Sequence, residues 1–313
     1  FAAHLVGETG YGAQFGFPLT DIVHHVASPY WYRFANGQSR AEFGRKAATA
    51  LETKINELGA ENVAAFIGEP LQATLGLIIP PDTYWPEVRR ICERYDVLLI
   101  ADDIVTGLGK TGYPFGFEAF GFEPDLFTLA KGLSSGYFPI SCVAIGSKVS
   151  EVLQNANRPF IHGFTNCGHP VGAAVALENI LVIEDEHLIE KVAQESGPRL
   201  ASRLAEFTQF PFVGEVSSLG IIGSIEIDIS KVGGGGLTDS VALGARIGQI
   251  AWKNGVNARP IGSTLGMMFP MIITERQVDD ALDRLKVSFA EAWTELKKSG
   301  KAEIASWNDA YGF

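Results

Sequence analysis

Two apolar periodicities alternate along the chain. Over about 41–58, Phe43, Ala47, Ala50, Leu51 and Ile55 recur at helical spacing, which predicts a helix. Residues 62–68, Asn-Val-Ala-Ala-Phe-Ile-Gly, read as a buried strand that stops at Glu69-Pro70, because proline cannot continue a central ladder. Pro86, followed by Val88, Ile91 and Cys92, predicts a second helix over about 85–94. Val97 to Asp102 is an apolar run expected of a strand buried on both faces. Further strands are expected at 126–129 and 142–145, and a long helix from about 171 that continues through a polar break into 187–207.

Strands alternating with helices predict an α/β domain with a mostly parallel sheet, and such sheets gather ligand sites at the carboxyl ends of their strands. Glu69, the pair Asp102-Asp103 and Lys131 each stand where an apolar strand ends. If those strands are neighbours, the three positions converge. Beyond about residue 190 the pattern changes, with candidate strands at 221–227 and 266–273 and a last helix over 275–297. We therefore expect a large domain over 1–189 and a smaller C-terminal α+β domain over 190–313. The run Gly233 to Gly236 reads as a surface turn, and the first forty-odd residues as loop with short elements.

Composition narrows the function classes. The 313 residues are 46% hydrophobic with a net charge of -11, which supports a large core and disfavours nucleic acid or anionic membrane as a partner. No apolar run reaches the roughly 18 residues of a membrane span. Cys92, Cys142 and Cys167 are too few and too widely spaced for a disulfide framework, so a soluble cytoplasmic protein is expected. The start, Phe1-Ala2-Ala3-His4, reads like the interior of a longer protein.

Two motifs invite other readings. Gly107-Leu108-Gly109-Lys110-Thr111-Gly112 matches a dinucleotide fingerprint and the end of a Walker loop, but Tyr113-Pro114-Phe115 follows where a helix should open. The pair His24-His25 has no third ligand at metal spacing.

Lysine at the end of a buried strand is the more telling feature. Desolvation makes an amine more nucleophilic at neutral pH, the requirement for a Schiff base with an aldehyde cofactor such as pyridoxal 5'-phosphate (PLP). That cofactor also needs a carboxylate against its ring nitrogen, and Asp102 is the natural candidate.

With these residues, the runs Leu99 to Gly112 and Pro124 to Gly132 resemble the signature of class III (ω-) aminotransferases, PLP enzymes of fold type I. Residues 64–70, 84–88, 162–165 and 168–170 match as well, and the likeness is greatest to amine– or ω-amino acid–pyruvate transaminases. The resemblance implies that Lys131 carries the cofactor and shuttles a proton, that Asp102 pairs with the ring nitrogen, and that Ile104 packs on the ring. It implies that Thr165 reaches the cofactor phosphate of a second subunit and that Phe164 lines that partner's substrate pocket, making the functional unit a homodimer. Arg259 matches a mobile arginine that binds a substrate carboxylate, and Glu69 the acid that holds it otherwise. The implied reaction moves an amino group from an amine or ω-amino acid to pyruvate or a similar keto acid. An aminomutase, a decarboxylating aminotransferase and a non-catalytic dimerising fragment remain alternatives.

The chain departs from the family's pattern in several places. Ala73 and Leu75 replace two glycines after Glu69-Pro70, so that turn must differ or avoid positive φ. Asp103 stands where the family usually has Glu, Asn166-Cys167 replaces Tyr-Ser, and Ser263 replaces the Asp that follows the arginine motif. Met268-Phe269-Pro270 replaces a Pro-Pro pair. Family members carry roughly another third of chain before the point matching Phe1, including a phosphate cup and a ring-stacking tyrosine.

Overall fold

The computed structural model describes residues 5–7, 22–233 and 237–299. Most of the expected loop before residue 22, and Gly234 to Gly236 of the expected turn, lie outside the described residues. A short helix α1 (Trp31–Phe34) precedes α2 (Arg40–Leu58). Helix α2 begins with a capping box: Ser39 Oγ accepts the Glu42 N–H at 3.3 Å, and Glu42 Oε2 accepts the Ser39 N–H at 3.0 Å. Its buried stripe is Phe43, Gly44, Ala48, Leu51 and Ile55, with Ala47 and Ala50 only half-buried.

The first sheet has the order β1 (Ala65–Gly68), β2 (Leu98–Asp102), β3 (Leu126–Leu129) and β4 (Cys142–Ile145). The pairs β1/β2 and β2/β3 are parallel and β3/β4 is antiparallel, so the sheet is mostly parallel as expected. Helix α3 (Tyr84–Tyr95) is the crossover between β1 and β2 and ends at Asp96 in the left-handed region, φ +54°. Ile55, Trp85, Val88, Ile91, Leu99 and Ala101 form the core between this sheet and helices α2 and α3.

Strand β2 corrects one expectation. It is not buried on both faces: Leu99 and Ala101 are fully buried, while Leu98, Ile100 and Asp102 are half-buried. The alternation follows from the two-residue period of a strand, with helices packed on one face.

Helices α4 (Ser147–Asn155) and α5 (Pro170–Asp185) follow. The polar break falls at His187, φ +52°, and the chain resumes as α6 (Leu188–Lys191), a π-helical turn Val192–Ser196 and α7 (Gly197–Ala205). The second sheet is antiparallel, in the order β5 (Val213–Leu219), β6 (Ile222–Ile227), β8 (Thr264–Met268), β7 (Arg259–Ile261). Helices α8 (Leu237–Lys253) and α9 (Glu275–Ser299) pack on it around Ile225, Leu243, Ile247, Leu282 and Phe289. Among the described residues no helix is long and apolar enough to cross a membrane.

A buried polar cluster ties α1 to the second sheet. Glu226, 4% exposed, accepts bonds from Tyr30 and Arg33, from Ser263 Oγ at 2.6 Å and from Thr264 Oγ1 at 3.0 Å. Burial, with the Glu226 charge adding to it, pushes the Tyr30 hydroxyl far above its ordinary range. Glu226→Ala leaves the Arg33 guanidinium without its buried partner and is expected to cost about 3 kcal/mol, read by urea unfolding. The double change Glu226→Leu with Arg33→Met should recover part of that loss.

Candidate active site

The parallel register decides which residues meet. Gly68 lies opposite Ala101 and Asp102 opposite Thr128, so β1, β2 and β3 deliver Glu69, Asp102 and, after one further turn, Lys131 to the same end of three adjacent strands. Their charges act on one another. Burial raises the Glu69 carboxyl first; the Ala73 N–H lowers it, the Asp102 carboxylate raises it further, and the Lys131 ammonium draws it down. The bond to Ala73 is 3.0 Å long and ends on Glu69 Oε2.

Strand alternation separates the two neighbouring acids. Asp102 points to the half-buried face, where its Oδ1 accepts the Thr128 hydroxyl at 3.1 Å and the Ile104 N–H at 3.3 Å. Asp102 Oδ2 takes part in neither bond. Asp103, 0% exposed, points to the helix-packed face. It accepts the Gly116 N–H at 2.9 and 3.1 Å and the Thr106 hydroxyl, while its carbonyl accepts the Gly107 N–H at 2.9 Å. The loop at 103–116 is thereby folded back on β2. It consists of turns, and no helix opens at the Gly107–Gly112 run. A Cβ on Gly107 would lie 2.5 Å from Leu129 Cδ2, and one on Gly116 would lie 2.4 Å from Thr106, so both glycines are required by close approach.

Lys131 corrects a second expectation. It is exposed rather than buried, because it follows the ladder in a turn where its own φ is +38°. A non-glycine residue in that region is strained, and such strain persists where the surrounding structure holds it. Asn179 on α5 braces the turn just after it, donating to the carbonyls of Gly132 at 2.8 Å and Leu133 at 3.3 Å, while its Oδ1 accepts the Ser135 hydroxyl at 2.6 Å.

Other expected residues lie apart. Ile104 is half-buried directly after the two acids. Phe164, 76% exposed, and Thr165 are in an exposed loop between α4 and α5. Thr165 does not cap α5; His169 does, its Nδ1 accepting the Gly172 N–H at 3.4 Å. Arg259 is exposed on β7, and among the described residues it forms no ion pair with Glu69. The chain between them is continuous in space, because a Cβ on Gly76 would lie 2.8 Å from Thr264 Oγ1 on the hairpin that carries Arg259. In that turn positive φ falls on Gly76 (+122°) and Leu77 (+54°), and neither Ala73 nor Leu75 needs it.

The family model "Aminotransferase class-III" matches residues 7–289. The chain belongs to the class III aminotransferases. Putrescine–pyruvate aminotransferase of Pseudomonas aeruginosa is 44% identical over 86% of this chain and 58% of its own length. Diaminobutyrate–2-oxoglutarate transaminase of Halomonas elongata is 36% identical over 96% and 66%. Among solved structures, an (S)-enantioselective ω-transaminase from Thermomicrobium roseum superposes with a TM-score of 0.86 at 34% identity, covering 93% of this chain and 65% of that one. The ω-transaminase from Pseudomonas jessenii in complex with PMP gives 0.87 at 37% identity, covering 96% and 66%. The chain thus spans 58% of the first of these relatives and about two thirds of the others.

Class III aminotransferases depend on PLP, and the residues present fit that group in part. The donor set includes a carboxylate with one oxygen already anchored and an exposed amine at the same strand ends, with Ile104 beside them. Sequence reasoning missed Thr128 and Asn179. Thr128 could have been found as the polar residue inside an apolar strand, three places before Lys131. Asn179 lies 48 residues past Lys131 in an apolar helix, and only the packing of α5 gives it a role.

Burial pushes the Asp103 carboxyl up to about 6, more than its bonds to Thr106 and Gly116 lower it. Its folded value thus exceeds the unfolded one of about 4, so the native state holds the extra proton between them. Stability should fall as pH rises from about 4 to about 6. Asp103→Asn is expected to flatten that slope, whatever its constant offset, in unfolding titrations across this range.

Proposed function

We propose that this chain carries the cofactor site of a PLP-dependent aminotransferase that moves an amino group from an amine or ω-amino acid to pyruvate or a similar keto acid. The observation that carries the reading is the convergence of Glu69, Asp102 and Lys131 at the ends of three adjacent parallel strands. The names of the relatives, a putrescine–pyruvate aminotransferase and an ω-transaminase, support the substrate class.

When bound, PLP supplies an electron sink for the bond broken at the donor carbon. Lys131 Nζ would hold the cofactor and, once the donor amine has displaced it, would take up and return the proton at the donor carbon. The Asp102 carboxylate would pair with the ring nitrogen through a charge-assisted bond. Ile104 covers one ring face and excludes water. Arg259 binds the keto acid's carboxylate, and Glu69 offers that guanidinium an anionic partner when an uncharged amine is bound. Thr165 and Phe164, on their exposed loop, serve the site of a second copy, so the unit is a homodimer. The two larger cores, one between the first sheet and its helices and one in the 200–296 region, are joined by a small third one and support a division of the chain near residue 189. The free thiols of Cys92, Cys142 and Cys167 support a reducing, cytoplasmic setting.

The test uses the full-length enzyme. Borohydride reduction with PLP should label the wild type once, on the peptide containing Lys131, and leave Lys131→Ala unlabelled. Transamination in that variant should fall by about a thousandfold, as expected on losing a positioned proton-transfer group; an unchanged rate overturns the reading. Arg259→Ala should raise KM for the keto acid by about 10- to 100-fold, the worth of a charge-assisted bond, with little change in KM for an amine lacking a carboxylate.

A further inference from the structure

Thr128 and Asp102 are register partners on neighbouring parallel strands, so their side chains project to the same half-buried face. The Thr128 hydroxyl donates to Asp102 Oδ1 at 3.1 Å, and the Ile104 N–H reaches the same oxygen at 3.3 Å. The Thr128 carbonyl accepts the Asp103 N–H at 3.1 Å, which extends the β2/β3 ladder by one residue. One residue therefore grips both members of the acid pair, by its side chain on one face and by its backbone between them.

The surroundings make this grip consequential. Asp102 stands between two other carboxyl groups, Glu69 and Asp103, and its charge opposes ionisation of each. With both donors on Oδ1, the carboxylate plane is set and Oδ2 is the oxygen left to present to a ligand.

We propose that Thr128 is the positioning residue for Asp102: its hydroxyl anchors Oδ1 so that Oδ2 faces the ring nitrogen of the cofactor. The proposal rests on the assignment of Asp102 to that nitrogen. Thr128 touches neither cofactor nor substrate; it acts through the carboxylate it holds.

Thr128→Val removes the hydroxyl while keeping shape and strand preference, and Thr128→Ser keeps the hydroxyl. In the full-length holoenzyme, Thr128→Val should bind PLP about 10- to 100-fold more weakly, the usual cost of losing a group that orients a ligand's partner. The visible absorption band of its bound cofactor should titrate at a different pH from that of the wild type. Thr128→Ser should restore both properties to within about threefold of the wild type. Should the valine variant not fold, Thr128→Ala against Thr128→Ser repeats the comparison across one hydroxyl. Wild-type affinity and titration in Thr128→Val, or a serine variant as impaired as the valine one, overturns the proposal. Asp102→Asn separates the two levels. If it changes neither affinity nor spectrum, the Asp102 assignment falls and takes the Thr128 proposal with it. If it is impaired while Thr128→Val is not, only the Thr128 proposal falls.

Discussion

The buried carboxylate of Asp103 grips the Gly116 N–H and the Thr106 hydroxyl on the helix-packed side of β2, and its carbonyl holds Gly107. Because a strand turns successive side chains to opposite faces, fixing Asp103 inward fixes Asp102 outward. The two acids are therefore one constraint with two outcomes, a sealed anchor and an available carboxylate. Burial of the anchor raises its carboxyl to about 6, so the fold spends stability near neutral pH to hold this loop in place.

The same loop joins the two sheets. The Lys110 carbonyl accepts the Ile221 N–H at 3.0 Å, and Lys110 Nζ donates to the Phe269 carbonyl at 3.1 Å. Burial draws the Lys110 ammonium below its ordinary range. A Cβ on Gly220 would lie 2.3 Å from the Lys110 carbonyl, so the turn between β5 and β6 can approach the loop only with glycine there, in its left-handed conformation at φ +56°. A second link comes from the turn after Glu69, where Leu71 and Leu77 pack with Ile222. The acids at the strand ends and the hairpin bearing Arg259 are thus held in one framework rather than on independent bodies.

Much of this was legible from residue pattern. The apolar runs placed β1 to β4 within a few residues, and the residues that end them named Glu69, Asp102 and Lys131. Less was legible where periodicity is weak: β5 with its Gly214, the three-residue β7, and the apolar α8 whose buried side extends over most of its surface. The exposure of Lys131 was not legible at all, because an apolar flank says nothing of the turn that carries the lysine out of the ladder.

By itself the sequence determined the order of the elements through the first sheet, the chemistry available at its strand ends, and membership of the class III aminotransferases. Those follow from local spacing and from motifs that remain readable in one dimension. Only the tertiary structure decided that the three strand ends adjoin, that Asp103 seals a loop while Asp102 stays available, and that Thr128 and Asn179 hold the groups beside them. Strand register and helix packing join residues 26 and 47 positions apart, Asp102 with Thr128 and Gly132 with Asn179. No local pattern encodes a hydrogen bond over such separations; it exists only once the strands have paired and α5 has packed.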